Sequence, residues 1–397
     1  MAILDFFKAN KPISEPAVIE TENTEKQSFN YIPKQYDYTK PYQETYNGNF
    51  IYFGIDNLYP NVLADLYNRS GLHSSIVKFK KELVSGGDIE VIGLESLEAG
   101  RKLNAIQYIN YIDGKNSLSD LISDLTLDYL IHGTIYVKLT WNVGKTKVLK
   151  MERLDPSKVR IDINKTNPES VTRYLYNFNW REYSRYQTTY YPAYSNKSEH
   201  NVEVICFKLK NPNMLWYAIP EYSAGVNWME LDGEISNYHK SNIENSINPS
   251  MALNFFQLPA NEEEKRNILH SIKKNFQGST NTGRAMVFFS DGRDTAPEVK
   301  PIEVSNIDKQ FNITADQIQR NICYAHQINP MILGLKTPGS LGNSAELETS
   351  YDIFINSYVK PTQKDMEGYI NKLLSIANSG ITIKLNSSQI YTTKTII

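Results

Sequence analysis

The chain has 397 residues, with 42 Lys and Arg against 44 Asp and Glu, a formal net charge of -2 at pH 7 and a sequence pI near 6.4. That balance excludes a protein that grips nucleic acid or an anionic membrane over a broad basic face. A hydrophobic content of 41% with 22% charged residues excludes wholesale disorder.

The 27 Tyr outnumber the 15 Phe, which points to much amphipathic surface. Cys206 and Cys323 stand far apart with no partner motif, which fits a reducing compartment better than a disulfide framework or a zinc knuckle. Asp5 interrupts the first apolar stretch, and no run of 18 apolar residues occurs. The expectation is a soluble intracellular protein with no membrane partner.

Residues 1–45 read as a flexible arm, rich in Pro, Thr, Glu, Gln and Tyr and without periodicity. Leu72, Ile76, Phe79 and Leu83 then recur at helical spacing up to the stop at Gly86 and Gly87. A second helix starts at Ser117, with Asp120 three residues on as its capping partner and Gly133 as its stop. Leu118, Leu121, Ile122, Leu125 and Tyr129 form its stripe. In residues 134–141, Ile135, Val137 and Leu139 alternate with Tyr136, Lys138 and Thr140, the pattern of a half-buried strand. A turn at residues 142–145 leads to a second strand, 147–154, which Asp155, Pro156 and Ser157 break.

Short strands follow to about residue 222, the clearest at 202–209. A polar helix spans 225–245 on the thin stripe Trp228, Leu231, Ile235, Tyr238 and Ile243, weakened by Gly233. Asn261 caps another helix, with Glu262, Glu263 and Glu264 in its first turn and Lys273 and Lys274 in its last, both complementing the helix dipole. A polar loop, residues 278–283, leads to a strand over 284–289. A long helix capped at Ser305 or Asn306 carries Phe311, Ala315, Ile318, Ile322 and Ala325. After Asn329 and Pro330 comes a glycine-rich loop to Asn343. A helix resumes near Ser344 with Leu347, Tyr351, Phe354, Ile355 and Tyr358, is kinked or restarted by Pro361, and runs on through Met366, Tyr369, Ile370, Leu373 and Leu374. Residues 381–397 read as strands.

The chemistry is sparse. Gly278 and Gly283 have the spacing of a phosphate-binding loop. However, Arg284 and Ala285 replace the Lys and the hydroxyl that such a loop needs, and a helix leads into a strand instead of the reverse. The histidines at 73, 132, 200, 239, 270 and 326 form no local ligand pair and read as structural or surface residues. No nucleophile elbow is present. The residues argue for no cofactor, no metal and no catalysis.

Six segments in order resemble one family. Residues 118–136 give a capped helix, a glycine, a small residue and an aromatic strand. Leu154-Asp-Pro-Ser-Lys-Val159 resembles Leu-x-Pro-x-x-Val, and residues 275–284 resemble a Gly-x-x-Asn-x-Gly loop after a helix. Ile328-Asn-Pro-Met-Ile-Leu-Gly334 resembles Val-Pro-Pro-x-x-Leu-Gly, with Asn329 at the first proline, and Asn343-Ser-Ala-Glu346 resembles Ser/Asn-Ala-Glu. Tyr358-Val-Lys-Pro361 is similar to the Leu-x-Pro before a closing helix. The chain thereby resembles, over about residues 46–380, the portal proteins of tailed double-stranded-DNA bacteriophages.

The resemblance implies an α+β portal fold with little or no C-terminal crown. Residues 46–223 would be the wing, 224–245 and 306–328 the two stem helices, and 246–305 a small α/β clip. The tunnel-loop region would be 329–346, the wing's closing helix 347–380, and 381–397 the C-terminal strands. It implies a homo-oligomeric ring, twelve subunits in the virion, at one capsid vertex and assembled in the host bacterial cytoplasm. A separate terminase would pump double-stranded DNA through its channel, and the DNA would later leave the same way. The terminase large subunit would dock on the clip at Lys273, Lys274, Asn275 and Gln277. The tunnel loop of Gly334, Lys336, Thr337, Pro338, Gly339, Ser340, Gly342 and Asn343 would face DNA. Further partners would be the major capsid or scaffolding protein and a head–tail adaptor. The alternative is another head–tail connector or capsid component.

Overall fold

The computed structural model describes residues 43–195, 199–245, 249–276, 284–292, 307–335 and 344–386. β1 (Glu44–Tyr46) pairs antiparallel with β2 (Ile51–Phe53). The Glu44 carboxylate accepts from the backbone N–H groups of Leu215, Trp216 and Tyr217 at 2.8, 2.9 and 2.6 Å. Glu44, which composition places at the end of the arm, is thereby tied to a distant loop. Residues 1–42 lie outside the described residues.

Two helices follow, α1 (Tyr59–Arg69) and α2 (Gly71–Ser85). The Ser70 hydroxyl caps α2 by accepting from the His73 N–H. The buried face of α2 holds Ile76, Val77, Leu83 and Val84 together with His73 and Lys80, while Leu72 and Phe79 are only half-buried. β3 (Ile89–Ile92), α3 (Ala99–Asn110) and α4 (Leu118–His132) come next. Neither α1 nor α3 is assigned from the sequence; α3 buries only Ala105 and Tyr108, too little to make a stripe. The capping box of α4 is realised. The Asp120 N–H donates to Ser117 Oγ at 3.1 Å, and the Ser117 N–H donates to the Asp120 carboxylate at 2.9 Å. Gly133 closes the helix at φ 67°, where a Cβ would lie 3.0 Å from the Ile219 carbonyl oxygen.

Six strands follow: β4 (Thr134–Trp141), β5 (Val148–Leu154), β6 (Val159–Ile163), β7 (Val171–Tyr176), β8 (Thr189–Pro192) and β9 (Val202–Lys208). They build a three-stranded sheet in the order β5-β4-β9 and, with β1 and β2, a five-stranded sheet in the order β1-β2-β6-β7-β8. β4 corrects the half-buried expectation, because Ile135, Val137 and Leu139 are fully buried and Tyr136 is 2% exposed. Register pairs Ile135 with Phe207, whose ring stacks on Tyr369, and Tyr136 with Cys206. Tyr136 meets Tyr174 of β7 edge-on, so the second sheet covers the start of the face that alternation assigns to water, while Lys138 and Thr140 stay half-buried. Arg160 of β6 is fully buried without a carboxylate partner. It donates to Asn57 Oδ1 and to the carbonyls of Asn57, Ser157 and Val159, and its guanidinium lies over the Trp180 ring.

α5 (Val226–Asn245) buries Val226, Met229 and Gly233. Leu231, which the sequence places in the stripe, is exposed, and Trp228 and Ile235 are half-buried. The side chains of Tyr238 and Ile243 lie outside the described residues. The stripe is displaced because the chain enters α5 through a 3-10 turn, Glu221–Gly225, that presses against another helix. β10 (Pro249–Phe255), α6 (Glu262–Phe276) and β11 (Arg284–Phe289) then form a parallel βαβ unit in which Phe255 stacks on Phe289. β10 is not assigned from the sequence.

α7 (Ile307–Ala325) buries Ile318, Ile322 and Cys323, with Ala325 half-buried and Ala315 exposed. The side chain of Phe311 lies outside the described residues. α8 (Ser344–Phe354) passes through a π turn, Ile355–Val359, into α9 (Lys360–Ile376). Pro361, which lacks an N–H, explains the widened turn, and Thr362 Oγ1 donates to the Tyr358 carbonyl there. β12 (Thr382–Leu385) pairs antiparallel with β3, stitched to α9 through Asn371 and Glu367. Residues 387–397, expected as strands, lie outside the described residues.

Two glycines separate close approach from mere permissiveness. A Cβ at Gly225 would fall 2.3 Å from that of Ala325, whereas at Gly233 it would meet only the Arg69 side chain, at 3.6–3.8 Å. Gly225→Ala is expected to lower stability by about 1–3 kcal/mol through overpacking, and Gly233→Ala to raise it by up to about 1 kcal/mol through helix propensity. Urea unfolding of the two variants checks both signs.

Candidate functional site

The glycine-rich loop springs from a turn with its own anchor. Asn329 Oδ1 accepts from the Met331 N–H at 3.0 Å, and its Nδ2 donates to Ser350 Oγ on α8 at 3.1 Å. This asparagine, standing at the first proline of the family pattern, therefore ties the loop's departing strand to its returning helix by hydrogen bonds. Gly334 ends the 3-10 turn Pro330–Leu333 at φ 74°, the left-handed conformation that glycine adopts without cost, and its N–H donates to the Met331 carbonyl. Lys336, Thr337, Pro338, Gly339, Ser340, Gly342 and Asn343 lie outside the described residues. On the returning helix, Glu346, Glu348 and Asp352 are exposed, so the root of the loop is acidic.

The second candidate group lies at the end of α6. Asn261 Oδ1 accepts from the Glu264 N–H at 2.7 Å, and the Glu264 carboxylate accepts from the Ala260 N–H at 2.8 Å, which fixes the helix start as the sequence predicts. Lys273, Lys274 and Asn275 occupy the last turn of the same helix. Gln277, like the glycine loop up to Gly283, lies outside the described residues. The connection runs from helix to strand, the wrong order for a phosphate-binding loop.

The tertiary structure also assembles a cluster that sequence reasoning leaves scattered. His73 Nδ1 and His326 Nε2, 253 residues apart in sequence, meet at 2.8 Å inside the body. Lys80 is buried beside them with its ammonium 3.6 Å from the centroid of the Tyr358 ring. Tyr129, Tyr222, Glu221 and Tyr358 join Lys80 and His326 in lining a cavity of about 10 Å³, room for one water molecule. The available signal was positional: His73 and Lys80 sit at i and i+7 in the stripe of Ile76, Val77, Leu83 and Val84. Both histidines are held neutral at pH 7, His73 pushed down to about 3 and His326 well below its ordinary value, by burial first and by the Lys80 charge next.

Desolvation pushes the Cys206 thiol up to about 12 and the Cys323 thiol up to about 11, so neither is an activated nucleophile at neutral pH. Among the described residues, no group of three or more His, Cys, Asp or Glu could hold a metal ion, and no helix is long and apolar enough to cross a membrane.

Comparison with known proteins gives a consistent picture. The fold is similar to a chain in the neck of an empty GTA particle with C6 symmetry, at 16% identity and a TM-score of 0.58, covering 86% of this chain and 87% of that one. It is similar to a chain in the virion of a native gene transfer agent particle, at 15% identity and a TM-score of 0.54, covering 83% and 84%. It is also similar to one in the neck of a native GTA particle with C12 symmetry, at 16% identity and a TM-score of 0.53, covering 83% and 85%. No curated protein sequence matches the chain significantly. The family model described as phage portal protein matches residues 113–395, from the turn before α4 through the loop and closing helix, and the chain belongs to that family.

Proposed function

We propose that this chain assembles into a ring, twelve copies in the virion, at the one capsid vertex through which double-stranded DNA enters and leaves. The observation that carries the reading is the family match over residues 113–395, which spans both long helices, the βαβ unit and the loop between α7 and α8. Structures of similar fold come from particle necks with C6 and C12 symmetry. In this reading the sheets with α1–α4 and α9 are the wing, α5 and α7 the stem, and β10-α6-β11 the clip. The chain does no chemistry of its own: ATP turnover belongs to a separate terminase whose large subunit docks on the clip around Lys273, Lys274, Asn275 and Gln277. The outer surface meets capsid or scaffolding protein, and a head–tail adaptor closes the other end. The ring is assembled in the host cytoplasm before it enters the virion.

The charge distribution suits a conduit that must not bind its cargo. A net charge of -2 leaves no broad basic surface to hold phosphates. Lys336 is the one charged residue between Gly334 and Asn343, so a ring would carry a single belt of positive charge at the loop. At physiological salt such a contact is screened over about 8 Å and releases readily. The loop then touches passing DNA transiently and resists its backward slip.

Three outcomes check this reading. Negative-stain images of purified protein should show closed rings, and a stable monomer at micromolar concentration across a range of salt would overturn it. Deleting Thr337 to Leu341 should leave ring assembly intact, because Asn329 and Ser350 still hold the loop's ends, while retention of packaged DNA falls; full-length DNA at normal virion yield would refute the loop's role. Lys274→Glu and Asn275→Asp should preserve the ring and weaken terminase binding, and normal packaging by both would remove the docking assignment while leaving the ring reading in place.

A further inference from the structure

The joint between α2 and α7 depends on a contact that cannot persist with both of its imidazoles protonated. His73 Nδ1 and His326 Nε2 are 2.8 Å apart with their rings stacked at a centroid distance of 5.0 Å. Such a contact requires a proton on one nitrogen and a lone pair on the other. The remaining nitrogen of His73, Nε2, is buried with no hydrogen-bond partner. Polar groups face the pair from every neighbouring element. They are Lys80 on α2, Glu221 and Tyr222 in the 3-10 turn, Tyr358 in the π turn, Tyr129 on α4 and Tyr67 on α1. Glu221 is engaged by Tyr358, and Asp232 of α5 accepts from Ser70 Oγ at 2.7 Å.

We propose that the His73–His326 contact is an acid-opened latch that fastens α7 to α2. A first proton on the outer nitrogen of the donor ring leaves the hydrogen bond in place, whereas a second turns N–H toward N–H, removes the only lone pair in the contact and adds to the positive charge beside Lys80 in the low-dielectric interior. Opening exposes both imidazoles and lets them take up protons near their ordinary value. The sign follows from the depressed values of the closed joint: its stability is complete above about pH 6.5, the unfolded histidine value, and is lost as pH falls. Lys80, pushed down to about 7 by burial with Glu221 opposing, adds a further repulsion once it is charged. Outside this contact, α7 is held by Ile318, Ile322, Cys323 and the Gly225–Ala325 approach, which do not titrate in this range. The joint behaves this way in a monomer and in a ring alike.

Hydrogen exchange of the full chain, with rates corrected for the intrinsic effect of pH, tests the latch. From pH 7.5 to 5.0, opening should become easier by about 30-fold if it takes up one proton, the closed contact keeping the other, and about 900-fold if it takes up two. The loss of protection should appear in residues 318–328 while residues 121–127 of α4 keep theirs. The double variant His73→Asn and His326→Gln places amides where Nδ1 and Nε2 lie, keeping a donor and an acceptor that do not titrate and leaving Lys80 and Glu221 in place. Its response should be at least tenfold smaller than that of the parent. An unchanged parent, or a variant that responds equally, overturns the proposal. Should the variant not fold, exchange at the imidazole C2 position of the parent decides. Acceleration at His73 and His326 in step with the 318–328 amides supports the latch, and titration of either histidine near 6.5 with those amides still protected refutes it.

Discussion

β4 lies between β5 and β9 within its sheet and between α4 with α9 on one face and β7 on the other. Full burial of Ile135, Val137 and Leu139 is worth about 2 kcal/mol for each side chain, before the entropy of ordering them is subtracted. The two layers can close only if the chain reverses sharply from α4 into β4, and Gly133 permits this by taking a left-handed backbone beneath the Ile219 carbonyl. The Leu209 N–H then donates to the Gly133 carbonyl, so the end of β9 is registered on the same residue. Helix, reversal and central strand set the frame on which the neighbouring sheets and helices lie.

Around that frame, polar groups inside the core and at its edge are treated in two ways. Arg160 and Glu44 are satisfied almost wholly by backbone: carbonyls and one asparagine hold the guanidinium, and three N–H groups hold the carboxylate. These contacts weld loops to sheets, since breaking them would leave a charge or several N–H groups unpaired in a low-dielectric interior. The cluster of His73, His326 and Lys80 is different. It has a nitrogen without a partner, an ammonium facing a ring and a small cavity, all where the two long helices enter the body. A joint built in this way is less costly to open than one packed with leucine.

The long helices carry little of the core. Among the described side chains, α5 buries Val226, Met229 and Gly233 and α7 buries Ile318, Ile322 and Cys323, while Leu231 and Tyr324 are exposed. Among the described residues, the βαβ unit has two strands, fewer than an independently stable sheet commonly has. In the proposed ring, neighbouring copies would supply the missing contacts, and a cyclic head-to-tail interface does so without needing a symmetric patch.

Elements whose signal is local were legible from the residues alone. Ser117 with Asp120, Asn261 with Glu264, and the stops at Gly86 and Gly133 act within one helical turn, so spacing located three helices closely. The motifs from Leu118 to Pro361 were likewise enough to identify the family. What depended on distant partners was not legible. β10 takes its strand identity from pairing with β11, and β4 loses the start of its solvent face to β7, neither of which alternation along one segment can report. Leu231 of α5 faces outward because the turn before the helix is pressed onto Ala325. The histidine pair is the clearest case: His73 and His326 carry no spacing signal, because their contact exists only once α2 and α7 have packed. Local hydrogen bonds and periodicity were thus the sequence's own to determine, while burial on a second face, helix rotation and long-range polar contacts waited on the packing that creates them.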